Sequence, residues 1–435
     1  VQPALPQLDV AIIGAGAAGL MALIWAGREA QQRNHRLRLA AFDGATKLGA
    51  KILVAGGGRC NVTHHAVDEN QYGGSSRNAI KKVLRRFDVE ETTLFFQELG
   101  VELKREDTGK LFPTTDRAST VLDALLAETR RVGTTLFHPE RIHSISRAES
   151  GFVVSSSHGQ HAAHRVILAT GGKALPKTGS DGGGYELAKA LGHSITPHVF
   201  PALAPLLLQP GHFLLALSGL TLPTTLELWS ASGKRLQSFS NSTLITHWGL
   251  SGPSVLDISR YFTAAMVAHG DAPPPAPSLT INFIPAQTTE SMDQLLLAAG
   301  KQGIANRLAA LIPDRLARAL AEHCGIEPSA PGHSLTRDQR RALATACTRL
   351  VLPVTGDRGY TFAEATAGGV PLSEVHLESM ESRICPGLHL CGEILDVDGR
   401  VGGFNFQWAW ASGFIAGSSA ARALIPPANT PTLPA

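Results

Sequence analysis

An unbroken apolar run, Val10-Ala11-Ile12-Ile13, stops at Gly14, and small and apolar residues follow over residues 18–30. A run that ends at a turn residue predicts a buried strand, and the stretch after it predicts a helix. A second apolar segment, Leu37-Arg38-Leu39-Ala40-Ala41-Phe42, predicts another strand ending at Asp43. Residues 78–100 read as mostly helical, from Val83, Leu84, Phe87, Leu94, Phe95 and Leu99 at mixed three- and four-residue spacings. Ser119 is expected to cap a helix reaching about Val132. Short strands are predicted around residues 141–145, 152–154 and 165–168, the last ending in Ala169-Thr170-Gly171-Gly172. Small residues there let the backbone pass close to a ligand or a neighbouring strand.

From Pro197 to about Ile284 the pattern turns β-rich, with strands over residues 222–229 and 236–240 around the turn Ala231-Ser232-Gly233-Lys234. Ser251-Gly252-Pro253 resembles a helix start with proline near its first position. Residues 273–277 read as a linker or edge loop. From about Thr288 to Leu350 the signal is helical, with a capping box Thr336-Arg337-Asp338-Gln339 ahead of Leu343. Residues 424–435 are proline-rich and uncharged and read as a loose tail.

The chemistry is carried by two glycine-rich segments at opposite ends. Gly14-Ala15-Gly16-Ala17-Ala18-Gly19 fits G-x-G-x-x-G between a strand and a helix, where glycines permit a tight turn and the helix start faces an anion such as pyrophosphate. Asp43 lies 24 residues after Gly19, near the roughly 20 expected of an acid that binds the adenosine ribose. Close packing alone also yields glycine-rich helix starts, but here strand, helix and acid occur together. Near the end, Cys391-Gly392-Glu393-Ile394-Leu395-Asp396-Val397-Asp398-Gly399 leads through Gly402-Gly403 into an apolar stretch over residues 404–417. An acid and a second helix start suit the ribityl and pyrimidine end of a flavin, so a dinucleotide spanning both segments is FAD-like. The cofactor fold is therefore split: residues 1–195 and 353–425 form it, a β-rich piece (196–286) and a helical piece (287–352) are inserted, and 426–435 is tail.

Composition narrows the class. With 435 residues, 43% of them hydrophobic and 17% charged, the chain is long enough for two or three domains and too apolar for extensive disorder. A net charge of +3 with scattered Lys and Arg argues against a nucleic-acid partner. The basic clusters at residues 33–38 and 81–86 read as solvated helix faces. The longest uncharged stretch, residues 199–226, holds Pro201, Pro205, Pro210, Gly211 and Pro223, which excludes a spanning helix. The apolar start carries Asp9 and lacks a basic n-region, so it reads as a strand and not as a secretory signal. Five cysteines without a C-x-x-C pair suit a reducing, cytoplasmic setting. Dispersed histidines give no metal-ligand spacing, and no metal is expected.

The run Lys51-Ile52-Leu53-Val54-Ala55-Gly56-Gly57-Gly58-Arg59-Cys60-Asn61-Val62-Thr63 closely resembles the loop that marks the BaiN/YhiN-like (aminoacetone-oxidase-like) flavoproteins. Thr246-His247-Trp248-Gly249-Leu250-Ser251-Gly252-Pro253, Thr366-Ala367-Gly368-Gly369-Val370 with Glu378-Ser379-Met380-Glu381-Ser382, and residues 391–417 extend the resemblance over nearly the whole chain. It implies an α/β fold: a discontinuous, glutathione-reductase-like Rossmann FAD domain with an inserted β-barrel and a small helical domain. By that resemblance Gly14, Gly16, Ala17, Ala18 and Gly19 surround the pyrophosphate, while Asp43 and Gly44 lie at the adenosine ribose. Lys51, Gly57, Gly58, Arg59, Cys60 and Asn61 approach the flavin. Ile142, expected in the strand after the Ser119 helix, meets adenine through its backbone. Thr170, Gly171, Gly392 and Glu393 line the site, Asp398 holds the ribityl or phosphate region, and Gly403, Phe404 and Asn405 lie below the pyrimidine.

Asp43 stands where many relatives have Glu, and the sequence departs from the family pattern in two further places. Gly182-Gly183-Gly184-Tyr185 lacks an acid that some relatives carry within that loop, and His64 stands where Asn is common. Three side chains have two readings each. Arg59 offsets phosphate or bonds the flavin, or it pins its loop through carbonyls. Cys60 is a packed residue or a redox thiol, and His247 an acid/base or part of a helix start. Trp408 and Trp410 are read as packing residues. No catalytic side chain is identified. The expectation is an FAD-dependent oxidoreductase on a small organic molecule, oxidase or reductase, with NAD(P)H as an open choice of diffusible reductant. The alternatives are a flavin-dependent RNA-modifying enzyme and a non-catalytic redox or binding module. Oligomeric state does not follow.

Overall fold

The computed structural model describes residues 7–270 and 275–426. Strand β1 (Gln7–Ile13) turns into α1 (Ala17–Gln32), and β2 (Leu39–Phe42) lies parallel to β1 with Val10 opposite Leu39. An excursion through α2 (Ala50–Gly58), α3 (Arg77–Leu84), α4 (Val89–Glu98) and α5 (Ala118–Arg131) leads to β3 (Thr135–Phe137), parallel to β2 on its far side. Then β4 (Ile142–Ala148), β5 (Gly151–Ser156) and β6 (Gln160–Leu168) form an antiparallel meander. The last of these continues in parallel along β1, and α6 (Gly183–Ala190) follows it.

Residues 201–364 form a compact unit of their own. Its strands are β7 (Leu206–Leu208), β8 (Thr221–Trp229), β9 (Arg235–Ile245), β10 (Gly249–Ser251), β11 (Ser278–Asn282), β12 (Leu350–Leu352) and β13 (Val354–Asp357). They pair antiparallel in the order β12-β11-β8-β9-β10-β7-β13. The two end strands are successive chain segments joined at Pro353, which brings the sheet's two edges together in the manner of a small barrel, without a ladder between them. Helix α7 (Pro253–His269) follows β10, with Pro253 at its start. Helices α8 (Thr289–Leu297), α9 (Ile304–Ala309), α10 (Asp314–His323) and α11 (Arg337–Arg349) share the barrel's apolar core. Thr336 and Gln339 form the expected capping box.

The chain then rejoins the first sheet: β14 (Leu388–Leu390) runs parallel to β6, and α12 (Phe404–Arg422) packs on α1. The parallel order β14-β6-β1-β2-β3, with Val10, Ala11, Ile12, Val166 and Leu388 fully buried, is that of a doubly wound Rossmann sheet. Close approach of the two helices needs glycine on α12. A Cβ at Gly413 would lie 2.5 Å from the Ala18 carbonyl, and one at Gly417 would overlap that of Ala22.

Three local expectations are corrected. Helix α5 begins at Ala118 with Arg117 before it, so Ser119 lies inside the first turn and caps nothing. The strand directly after α5 is β3, and Ile142 opens the next one, β4. The segment read as a glycine-rich loop begins as helix and loses helical geometry only from Ala55, because Gly56 and Gly57 take positive φ. The tail beyond residue 426 and residues 273–274 of the supposed linker lie outside the described residues.

Candidate functional site

The parallel strands all end at one edge, and the expected residues follow those ends. Gly14 follows β1, Asp43 and Gly44 follow β2, Thr170 and Gly171 lie just beyond β6, and Gly392 and Glu393 just beyond β14. Strand order reverses beside β1, and open α/β sheets take ligands in the crevice at such a point. Gly14 has φ +98°, and a Cβ there would stand 2.5 Å from the Ala169 carbonyl. A Cβ on Gly19 would overlap the Gly14 carbonyl, whereas one on Gly16 would meet nothing within 4 Å. The turn is therefore closed on its protein side and open at Gly16. Helix α1 has no side-chain cap and no acid in its first turn, which leaves its N-terminal dipole and the Ala17 and Ala18 end available to an anion.

Asp43 accepts the Ala15 N–H at 2.7 Å through Oδ2 and the Ala45 N–H at 2.8 Å through Oδ1. These bonds aim the carboxylate and leave further lone pairs free to accept from hydroxyls. Gly44 is required because Arg141 lies on it: a Cβ at Gly44 would be 2.7 Å from the Arg141 Cβ. Ile142 is buried and pairs with Ser156.

Gly56, Gly57 and Gly58 carry φ of +58°, +69° and +85°, and Cys60 also sits at positive φ. Cys60 is wholly buried, and burial pushes its thiol up to about 12, which makes it a packed thiol and not a thiolate. Arg59 lies over the Phe112 ring at 4.0 Å, donates to Glu106 at 2.6 Å and stands 3.5 Å from Asp116. It pins the loop through carboxylates and a ring, not through carbonyls. Lys51 pairs with Glu393, whose other oxygen accepts the Thr366 N–H at 2.7 Å. The Lys51–Thr63 run is thus joined to the C-terminal glycine-rich segment by an ion pair.

At the C-terminal motif, Asp398 is buried, and the Asn405 amide exchanges hydrogen bonds with the backbone of Gly399 at 2.8 and 3.0 Å. Gly403, at φ +91°, precedes α12, which has neither a side-chain cap nor an acid in its first turn. A Cβ there would lie 2.6 Å from the Thr63 backbone, so this helix start rests on the end of the Lys51–Thr63 run. Phe404 is buried, stacks near His64 at 5.0 Å and receives the Tyr72 hydroxyl on its carbonyl.

Sequence reasoning missed the residues that hold these loops. Gln407, 1% exposed, accepts from the Thr63 and Thr92 hydroxyls and donates to the Phe87 carbonyl. Trp408 donates to the Gly392 carbonyl and Trp410 to that of Val62. Thr366 Oγ1 receives the backbone N–H groups of Lys173 and Ala174. A Gln and two indoles in the buried first half of α12 were the available signal. His247 belongs to the barrel unit and is exposed, beside Trp248.

The site fits a dinucleotide. The Thr170 hydroxyl and the Asn61 carbonyl oxygen are buried without a partner in the chain, and a Cβ at Gly57, like one at Gly16, would meet nothing. Buried polar atoms of this kind call for a ligand or water. Among the described residues no group of His, Cys, Asp or Glu could hold a metal, and no helix is long and apolar enough to cross a membrane.

A Rossmann sheet with glycine turns, an acid after β2 and two uncapped helix starts defines a flavoprotein fold of the FAD-binding type. Residues 8–419 match the model of the HI0933-like protein Rossmann domain, and the chain belongs to that family. The BaiN/YhiN-like resemblance is thereby borne out. The chain is 33% identical to a 3-dehydro-bile acid delta(4,6)-reductase of Clostridium scindens, over 95% of this chain and 99% of the relative. It is 31% identical to a ribosomal RNA dihydrouridine synthase of Escherichia coli, over 94% and 96%. Identity to the Haemophilus influenzae protein of the same name is 30%, over 94% and 98%. The protein is an FAD-dependent oxidoreductase.

Proposed function

We propose that the protein reduces an activated carbon–carbon double bond in a small organic substrate, taking electrons from NAD(P)H as a diffusible reductant. Bound FAD supplies hydride transfer between donor and acceptor. The observation that carries the reading is that both ends of the chain are tied together, by the Lys51–Glu393 pair, while the starts of α1 and α12 are left uncapped, which offers one dinucleotide a binding surface drawn from both ends.

In this reading Gly14, Gly16, Ala17, Ala18 and Gly19 bind the pyrophosphate, and Asp43 and Gly44 the adenosine ribose. Ile142 meets adenine, with Thr170 and Gly171 beneath. Lys51, Gly57, Gly58 and Asn61 line the flavin side, with Cys60 packed behind them and Arg59 holding their loop. Gly392, Glu393, Asp398, Gly403, Phe404 and Asn405 take the ribityl chain and pyrimidine. The barrel and helical elements of residues 201–364 select the substrate. Reduction is favoured over oxidation because the relatives' names denote it: delta(4,6) bonds of a 3-dehydro-bile acid, and the uracil double bond whose saturation yields dihydrouridine.

The second reading, reduction of a base in ribosomal RNA, is favoured by the two dihydrouridine synthases. The mild charge of +3 supports the small substrate over it. Anaerobic bleaching of the flavin by NADH or NADPH, followed by a conjugated steroid enone, unmodified ribosomal RNA or oxygen, separates the cases. Rapid recovery of colour with the enone is expected. Recovery with RNA alone would establish the second reading, and bleaching by an amine with recovery only in oxygen would establish an oxidase.

A further inference from the structure

Three loops at the carboxyl edge of the parallel sheet meet at one ion pair. Arg141, in the turn after β3, lies on Gly44, and the N–H of its neighbour Glu140 donates to the Asp43 carbonyl at 2.7 Å. Its guanidinium reaches Asp181 through two contacts, 2.8 Å from Oδ2 and 3.0 Å from Oδ1. Asp181 opens the glycine loop before α6, and its Oδ1 also accepts the Gly183 N–H at 3.0 Å, which fixes the carboxylate. A Cβ at Gly183 would come within 2.6 Å of the Arg141 guanidinium, so glycine there leaves room for the pair in this position.

The same loop touches the other side of the crevice. Ser180 is 6% exposed with an unpartnered hydroxyl, and a Cβ at Gly171 would be 2.7 Å from it. A Cβ at Gly179 would be 3.0 Å from that of Ala45. The pair therefore bridges loops that follow β2, β3 and β6, with the Gly14 turn of β1 between them.

We infer that Arg141 and Asp181 form a latch over the adenosine half of the cofactor site, an ion pair that must open before FAD leaves. The inference rests on the FAD reading of that site. Both side chains are about two-fifths exposed, at 45% and 38%, so the pair contributes little to folding and is open to screening by salt. Its bidentate geometry gives it direction, which suits a closure joining two loops. It lies against Gly44, beside the Asp43 read as binding the adenosine ribose, so it is a positioning device for a dinucleotide and has no role in the redox step.

The test follows flavin fluorescence after rapid dilution of the holoprotein. Arg141→Gln keeps the methylenes on Gly44, and Asp181→Asn keeps an acceptor for Gly183, so each breaks the ion pair while keeping its neighbour's contact. Each variant should release FAD about five times faster, the double variant no faster than either single one, with melting temperature little changed. About 1 M salt should speed release from the unaltered protein to the variants' rate and leave the variants unmoved. Release at the wild-type rate in both variants would overturn the latch, as would faster release matched by an equal loss of fold stability. If a variant does not fold, a salt-independent release rate in the unaltered protein overturns it instead. Failure of the FAD reading is separable: the unaltered protein would then bind FMN as tightly as FAD.

Discussion

Glycine serves different ends in the two compact units. In the barrel-and-helix unit Gly211, Gly219, Gly233 and Gly325 have positive φ, yet a Cβ on any of them would meet nothing within 4 Å. They are turn residues, chosen for backbone conformation alone. In the parallel-sheet unit Gly14, Gly369 and Gly403 also have positive φ, but backbone atoms of other segments stand 2.5–2.6 Å from the Cβ each lacks. There glycine also allows main chains to touch, and loops at the sheet edge lean on one another, although Gly57, Gly100, Gly133 and Gly159 of the same unit are as open as the barrel's turns. The exceptions within the barrel unit are Gly249 and Gly252, packed against the backbones of Leu206 and Ser242. Both lie in the family segment containing His247, so part of that motif's regularity is barrel packing.

The sharpest break in this comparison comes from placing the same methyl group in each unit. Gly19→Ala should force the α1 start off β1 and cost about 3 kcal/mol or more, with loss of bound flavin. Gly233→Ala should cost about 1 kcal/mol, the strain of a positive φ, and keep its flavin. Thermal melts with flavin absorbance check both, and equal effects would erase the distinction.

Next in size is Asp43→Ala. A carboxylate accepting from ribose hydroxyls contributes about 1.5–3 kcal/mol per bond, so FAD affinity should fall about tenfold or more in an apoprotein titration. Unchanged affinity would place the ribose-binding acid elsewhere. His247→Ala, in the barrel unit, should shift turnover or substrate preference at normal flavin content; unchanged kinetics with every reductant and acceptor tested would leave His247 a purely structural residue.

The smallest effect concerns acid. His389 is fully buried beside Arg165 and Glu381, and burial pushes its imidazole below the ordinary value of 6.5. The folded chain keeps it neutral while the unfolded chain takes up a proton, so stability is present above pH 6.5 and falls as pH drops below it. His389→Gln should flatten that limb of a melting-temperature profile, and an unchanged slope would assign it to other groups.

Much of the fold was legible because strand ends coincide with turn residues. The ends of β1 at Gly14, β2 at Asp43 and β6 just before Ala169 could be read locally, as could the Thr336 cap. What was not legible depends on contacts far apart in the chain. The Lys51–Glu393 pair spans 342 residues, and Gln407 tethers Thr63 and Thr92 from α12. No local pattern encodes either. The break at Ala55 was masked because a glycine run reads equally as a loop or a frayed helix. The strand order that brings the barrel's two edges together at Pro353 depends on which strands pair, and periodicity is silent on that.

The most direct test is the flavin itself. Denaturing release from freshly purified protein, followed by chromatographic identification and quantification against protein, should yield FAD at about one per chain with no covalent remainder. Release of FMN, or a colourless protein that takes up no FAD on reconstitution, would contradict a dinucleotide bound between the two ends of the chain.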